Sequence, residues 1–267
     1  MDLNDHKQNE IVKDWNNNPV LSVKSKGGVI ALVNPFQNLV STGISPWPPS
    51  EIVQKLYCSR QIRAFPSEDA DLITTHLGYY CDLQSIHSED AITWSVFGTL
   101  LRSNNDVRYK WLNTLFEATY LPGIKCNKAE ITLWRRIPHP DNLASGGPEI
   151  DVLISTENAV VLVEAKWLSQ TGLKQGKARD KDQIQLRGEY LQTLGPKFYS
   201  DAAYFVVLGI ALNTSSIINT TPDGAVFRET TWSDVCGITD HPLHEEIQRY
   251  YQWKRKHSRI KHLDSNC

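Results

Sequence analysis

The sequence predicts an α/β fold whose mixed sheet is flanked by helices, and three observations carry that prediction. Ile150–Ile154 and Ala159–Val163 are short apolar runs rich in β-branched residues, and the polar stretch Ser155–Asn158 separates them as a hairpin turn. Asp182–Leu194 follows with helical spacing. Ala202–Leu212 is then a further apolar run with the composition of a buried strand. With Glu130–Ile137 as an earlier strand, the expected order is helix, three-stranded meander, helix, strand. A mainly helical N-terminal elaboration precedes it.

A chain of 267 residues with 40% hydrophobic residues has enough material for a sizeable core. The longest apolar stretch, Ala202–Leu212, is too short to span a bilayer, and the polar N-terminus carries no signal-peptide pattern, so a soluble cytoplasmic protein without membrane contact is expected. The five cysteines are widely spaced without a C-x-x-C pair, which argues for a reducing compartment and against zinc. A formal net charge of −2 leaves any nucleic-acid partner to local basic patches instead of a general positive field.

The elements divide into residues 1–87 as the N-terminal elaboration, 88–240 as the core and 241–267 as a basic C-terminal helix. Residues 1–28 are polar, with three consecutive asparagines, and read as a lead-in. Gly28–Phe36 fits a buried strand ended by Pro35, and Ser50 fits the cap of a helix through Cys58. The pattern stays helical from there to about Lys125. Ser88 caps a helix to about Arg102 with Ile92, Val96 and Leu100 as its apolar stripe. Glu89 falls on that stripe, three residues before Ile92. Thr231–Val235 reads as a short helix, and Pro242–His262 as a helix whose end is basic. Those end charges suit either DNA or the helix dipole.

The chemistry lies in Pro148–Trp167. Side chains alternate across a strand, so Asp151 shares a face with Leu153, while Glu164 and Lys166 project together from the face opposite Val163 and Ala165. A hairpin gathers these three charges in one place. Two carboxylates at the end of a buried strand repel unless partnered, and a divalent cation turns that repulsion into coordination. Oxygen donors favour magnesium, with manganese as a substitute. Such an ion polarises a phosphate and lowers the pKa of a bound water.

Pro148, Asp151 and the run Glu164-Ala165-Lys166 resemble the signature of the PD-(D/E)XK nuclease superfamily. Pro148 departs from it by lying three residues before the aspartate. The resemblance covers about Ser88–Leu212 and implies a restriction-endonuclease-like core and magnesium-dependent hydrolysis of a phosphodiester bond in DNA, leaving a 5′-phosphate. It assigns the metal to Asp151, Glu164 and the Ala165 carbonyl, and positioning or activation of the attacking water to Lys166. It also gives Glu89 the place of the glutamate on the helix before the sheet, although an acid in a first helical turn is equally accounted for by the dipole. Gln183 corresponds to a glutamine near the water or metal. By helical phase Gln183, Arg187, Tyr190 and Leu194 share the inward side, whereas Gln185, Glu189 and Gln192 are polar-facing.

After Trp167 comes a basic loop with Lys174, Lys177, Arg179 and Lys181, suited to phosphate contacts, as Arg187 is one turn into the next helix. Arg135 and Arg136 suit either a nucleic-acid backbone or a charged edge strand. Restriction, repair, recombination and defence against foreign DNA all remain open, as does a homodimer. The alternative from another class is a non-catalytic nucleic-acid-binding or scaffold module that keeps the nuclease fold.

Overall fold

The structure, a computed structural model, describes residues 9–24, 29–58, 82–138, 147–169, 181–213 and 225–258. The chain divides into two compact units, Met1–Ser95 with Glu245–Cys267, and Val96–His244.

The first unit opens on an antiparallel sheet of β1 (Asn9–Lys13), β2 (Pro19–Lys24) and β3 (Ile30–Leu32). The sequence predicted a mainly helical elaboration, and among its described residues this three-stranded sheet stands beside the helical segments. The asparagine run is a hairpin turn: Asp14 Oδ1 accepts from the amides of Asn16 and Asn18, at 2.8 and 2.9 Å, and Asn17 takes a left-handed φ of 64°. Asparagine tolerates that backbone better than most residues. Gly28 lies outside the described residues, and Leu32 is the fully buried residue of β3.

Helix α1 (Ser50–Cys58) follows, then α2 (Glu89–Thr93), capped by Ser88, whose hydroxyl accepts from the Ala91 amide at 3.1 Å. A π-helical turn, Trp94–Gly98, continues into α3 (Thr99–Leu101).

The second unit holds α4 (Asn105–Ala118) and a five-stranded sheet in the order β4 (Glu130–Arg136), β5 (Glu149–Ser155), β6 (Ala159–Ala165), β7 (Tyr204–Ala211), β8 (Val226–Thr231). The first three strands form the expected antiparallel meander, whereas β6, β7 and β8 run parallel. The sheet is therefore mixed. A parallel neighbour requires a crossover, and α5 (Gln183–Thr193) with the short α6 (Gly195–Phe198) lies in it. All seven residues of β6 are buried, as its apolar sequence demands of a strand covered on both faces.

One face of the sheet packs on α5. Leu153, Val160, Leu162 and Val207 meet Ile184, Tyr190, Leu191 and Leu194 in one cluster. Asp151, Leu153, Leu162 and Glu164 share this face, because Leu153 pairs with Leu162 and side chains alternate. After β8 come α7 (Trp232–Cys236), capped by Thr231, and α8 (His244–His257), which belongs with the first unit. Among the described residues no helix is long and apolar enough to cross a membrane.

In the first unit Lys254 is fully buried on α8 and donates from Nζ to the Ile86 carbonyl. Burial drives its pKa well below the ordinary 10.5, against the opposing charge of Glu89. Between the depressed folded pKa and 10.5 the unfolded chain holds a proton that the folded chain has released, so stability rises with pH across that window. Urea unfolding across the window should give a slope of up to about 1.4 kcal/mol per pH unit that Lys254→Met lacks. The same slope in both proteins would contradict this reading of Lys254.

Candidate active site

Strands β5 and β6 carry the acidic residues to one end of the sheet. Asp151 Oδ2 accepts from the Ala165 amide at 2.7 Å, so its carboxylate ties the end of β6 to β5. Glu164 is 1% exposed and Lys166 4% exposed. Their side chains meet, with Lys166 Nζ 2.7 Å from Glu164 Oε1. The main chain of Lys166 is pinned on both sides, its amide donating to the Ile210 carbonyl at 2.7 Å and its carbonyl accepting from Trp232 Nε1 at 2.9 Å. In the ladder Glu164 lies beside Gly209, a neighbour with no side chain.

The second partner of Glu164 comes from α5. Arg187 Nη2 lies 2.8 Å from Glu164 Oε2 and also donates to the Glu149 carbonyl at 2.8 Å. Arg187 is 2% exposed, so it is a buried counter-ion, where the sequence had suggested a phosphate contact. A charged side chain on the inward stripe of a helix must meet an opposite charge inside, and Glu164 is that charge. The signal was available: Arg187 is the one cation on the stripe with Tyr190 and Leu194.

Asp151, Glu164, Lys166 and Arg187 together carry no net charge. The Arg187 contact lies off the hydrogen-bonding direction, so Glu164 Oε2 is a buried oxygen that accepts no hydrogen bond, and Arg187 Nε and Nη1 donate none. Glu164 Oε2 is paired with a guanidinium by charge but accepts no hydrogen bond, so it keeps acceptor capacity where a cation would fit. Two carboxylates with a neighbouring main-chain carbonyl form a hard-oxygen set of the kind that suits magnesium, which keeps several waters. No group of three or more His, Cys, Asp or Glu side chains of metal-binding arrangement occurs among the described residues.

Gln183 and Gln185 are both half-buried but are engaged differently. Asp182 caps α5 by accepting from the Gln185 amide at 2.8 Å, and Gln185 Oε1 accepts from the Asp182 amide at 3.1 Å. Gln185 is thereby spent on a capping box. Gln183 stands one turn before Arg187, half-buried, on the side of α5 that meets Glu164.

The other predicted residues fall as follows. Glu89 belongs to the first unit, half-buried, where its charge acts on Lys254. Lys181 pairs with Glu189 at 2.5 Å, while Lys174, Lys177 and Arg179 lie outside the described residues. Arg135 and Arg136 are exposed and line a pocket of about 270 Å³ with Tyr190, Phe198 and Tyr199.

One feature was not legible. The β4–β5 ladder pairs Leu133 with Val152 and Arg135 with Ile150 but skips Trp134, which stands across from Asp151 with φ at 53°. A bulky residue in the left-handed region is strained by about 1–3 kcal/mol, and such strain concentrates at functional sites.

No protein-family model, curated protein or solved structure matches the chain.

The cluster makes a stability prediction that differs from simple carboxylate repulsion. Glu164→Gln keeps the shape but leaves Lys166 and Arg187 buried without their anion, so urea unfolding in chelator should show a loss of about 3–5 kcal/mol. Adding Arg187→Met should recover part of it. A loss under about 1 kcal/mol would mean that these charges are solvated like a surface pair.

Proposed function

We propose that the chain is a magnesium-dependent deoxyribonuclease with a restriction-endonuclease-like core of the PD-(D/E)XK type. The observation that carries the reading is the convergence of Asp151, Glu164 and Lys166 at the shared end of β5 and β6, with the Asp151 carboxylate on the Ala165 amide. The order of α2 and α3, the β4–β5–β6 meander, α5 and a parallel β7 supports it. The strained Trp134 across from Asp151 supports it further.

Asp151, Glu164 and the Ala165 carbonyl would hold magnesium or manganese. When bound, the ion supplies charge neutralisation at the phosphate and a water of lowered pKa. Lys166 orients the attacking water and offsets the negative charge that develops on the phosphate. Arg187 holds the Glu164 side chain in place. Gln183 adds a positioning donor from the first turn of α5. The bond broken is that to the 3′ oxygen, leaving a 5′-phosphate.

A non-catalytic nucleic-acid-binding or scaffold module is the second reading, and one observation favours it. Glu164 is bridged by both Lys166 and Arg187, which together supply more than its counter-charge. Incubation with supercoiled, linear and single-stranded DNA decides between them. The nuclease reading expects cleavage in magnesium or manganese, none in chelator, and none from Asp151→Asn or Lys166→Ala. Intact DNA under every condition would favour the module.

The two glutamines give a finer test at saturating metal. Gln183→Ala should lower turnover by up to about a hundredfold. Gln185→Ala should leave turnover unchanged while costing about 0.5–2 kcal/mol of stability through the lost cap. The reverse pattern would mean that the side of α5 facing the site has been misassigned.

A further inference from the structure

The first unit contains a second basic, aromatic site that the hairpin chemistry does not use. The β1–β2 turn and α8 border a cleft of about 770 Å³. A volume of that size suits a nucleotide-sized ligand. Trp15, Trp253 and His257 give it an aromatic floor, with Trp253 5.6 Å from His257, and the buried Tyr250 packs behind Trp15 and Trp253 at 6.1 Å from each. Trp253 is half-buried and fixed, its indole Nε1 donating to the Lys13 carbonyl at 2.8 Å.

The rim is basic. Lys13, Arg249 and Lys256 line the cleft and are exposed. Arg249 and Lys256 stand two helical turns apart on one face of α8, about 10 Å along its axis, with Trp253 between them. Among the described residues the one carboxylate of the lining, Asp14, is buried and engaged by the Asn16 and Asn18 amides of the turn. Burial and the neighbouring Lys256 hold His257 below its ordinary pKa, so near neutrality it is an uncharged ring beside Trp253. Asn17 and Gln252 add exposed amides that both donate and accept.

We infer that this cleft binds single-stranded nucleic acid, with Lys13, Arg249 and Lys256 on the phosphates and the Trp253 ring against a base. Cations alone would suit any acidic chain. The aromatic floor set between cations two turns apart, with amides that can meet base edges, favours a nucleic-acid strand over an acidic peptide. The ligand class agrees with the nuclease reading, but binding here needs none of the hairpin residues and can be measured with cleavage disabled.

The test is fluorescence anisotropy of a labelled oligo-dT with the full chain carrying Asp151→Asn, in chelator, across a salt series. The background variant should bind, and adding Lys13→Ala with Lys256→Ala should weaken binding at least about tenfold and lower the salt slope by about 1.4, roughly 0.7 per lost contact. Trp253→Leu should weaken it at least about fivefold. Both substituted lysines are exposed, so their variant keeps the test valid if the tryptophan variant misfolds. Affinity and salt slope unchanged in the lysine variant would overturn the inference. So would equal competition by polyglutamate, which would reduce the cleft to a general polyanion site. Weakening of binding without loss of cleavage in the otherwise native chain would separate this site from the hairpin.

Discussion

The buried carboxylate of Glu164 is the constraint on which the second unit depends. A strand apolar at every preceding position ends in an acid, and an ionised carboxylate at 1% exposure is untenable without opposite charge beside it. Lys166 supplies one counter-charge from just beyond the end of β6 and Arg187 the other from α5. The crossover helix is thereby fixed on the sheet at two levels, by the apolar cluster around Leu162 and Tyr190 and by an ion pair at the sheet's end. Arg187 also bonds the Glu149 carbonyl, so one guanidinium ties α5 to both strands of the hairpin.

This arrangement admits two chemical lives. As a metal site, the cluster has an acceptor on Glu164 Oε2 that no hydrogen bond occupies, a second carboxylate on the paired strand, and an ammonium already beside the reacting position. As a closed ion cluster, the same four residues are neutral and need nothing more. The difference rests on whether the cations release Glu164 more cheaply than an incoming ion's waters can be replaced. Two desolvated charges of like sign around one carboxylate favour release of one of them when a divalent cation arrives.

Much of this was legible in the sequence because it rests on local pattern. The paired runs around Ser155–Asn158, the Asp182 cap and the β-branched strand from Tyr204 each signal themselves within a few residues. What was not legible depends on distant partners. The β1–β2 hairpin was hidden because the Asn16–Asn18 run reads as a polar lead-in unless Asp14 is seen to organise it. Strand β8, with Arg228, Glu229 and two threonines, has an edge composition that becomes a strand only beside β7. Arg187 was placed on the inward side of its helix, but its partner Glu164 was not named, since phase fixes direction and not partner. The left-handed backbone of Trp134 has no signal in a tryptophan.

In the proposed metal-dependent chemistry, Glu164 leaves its cations for a metal ion shared with Asp151. Crystals soaked in manganese and measured at its absorption edge test it most directly. The expected result is an anomalous peak within roughly 2.0–2.3 Å of carboxylate oxygens of both Asp151 and Glu164, with Lys166 or Arg187 drawn off Glu164. A Glu164 still bridged by both cations, with no peak between the carboxylates at saturating manganese, would contradict it.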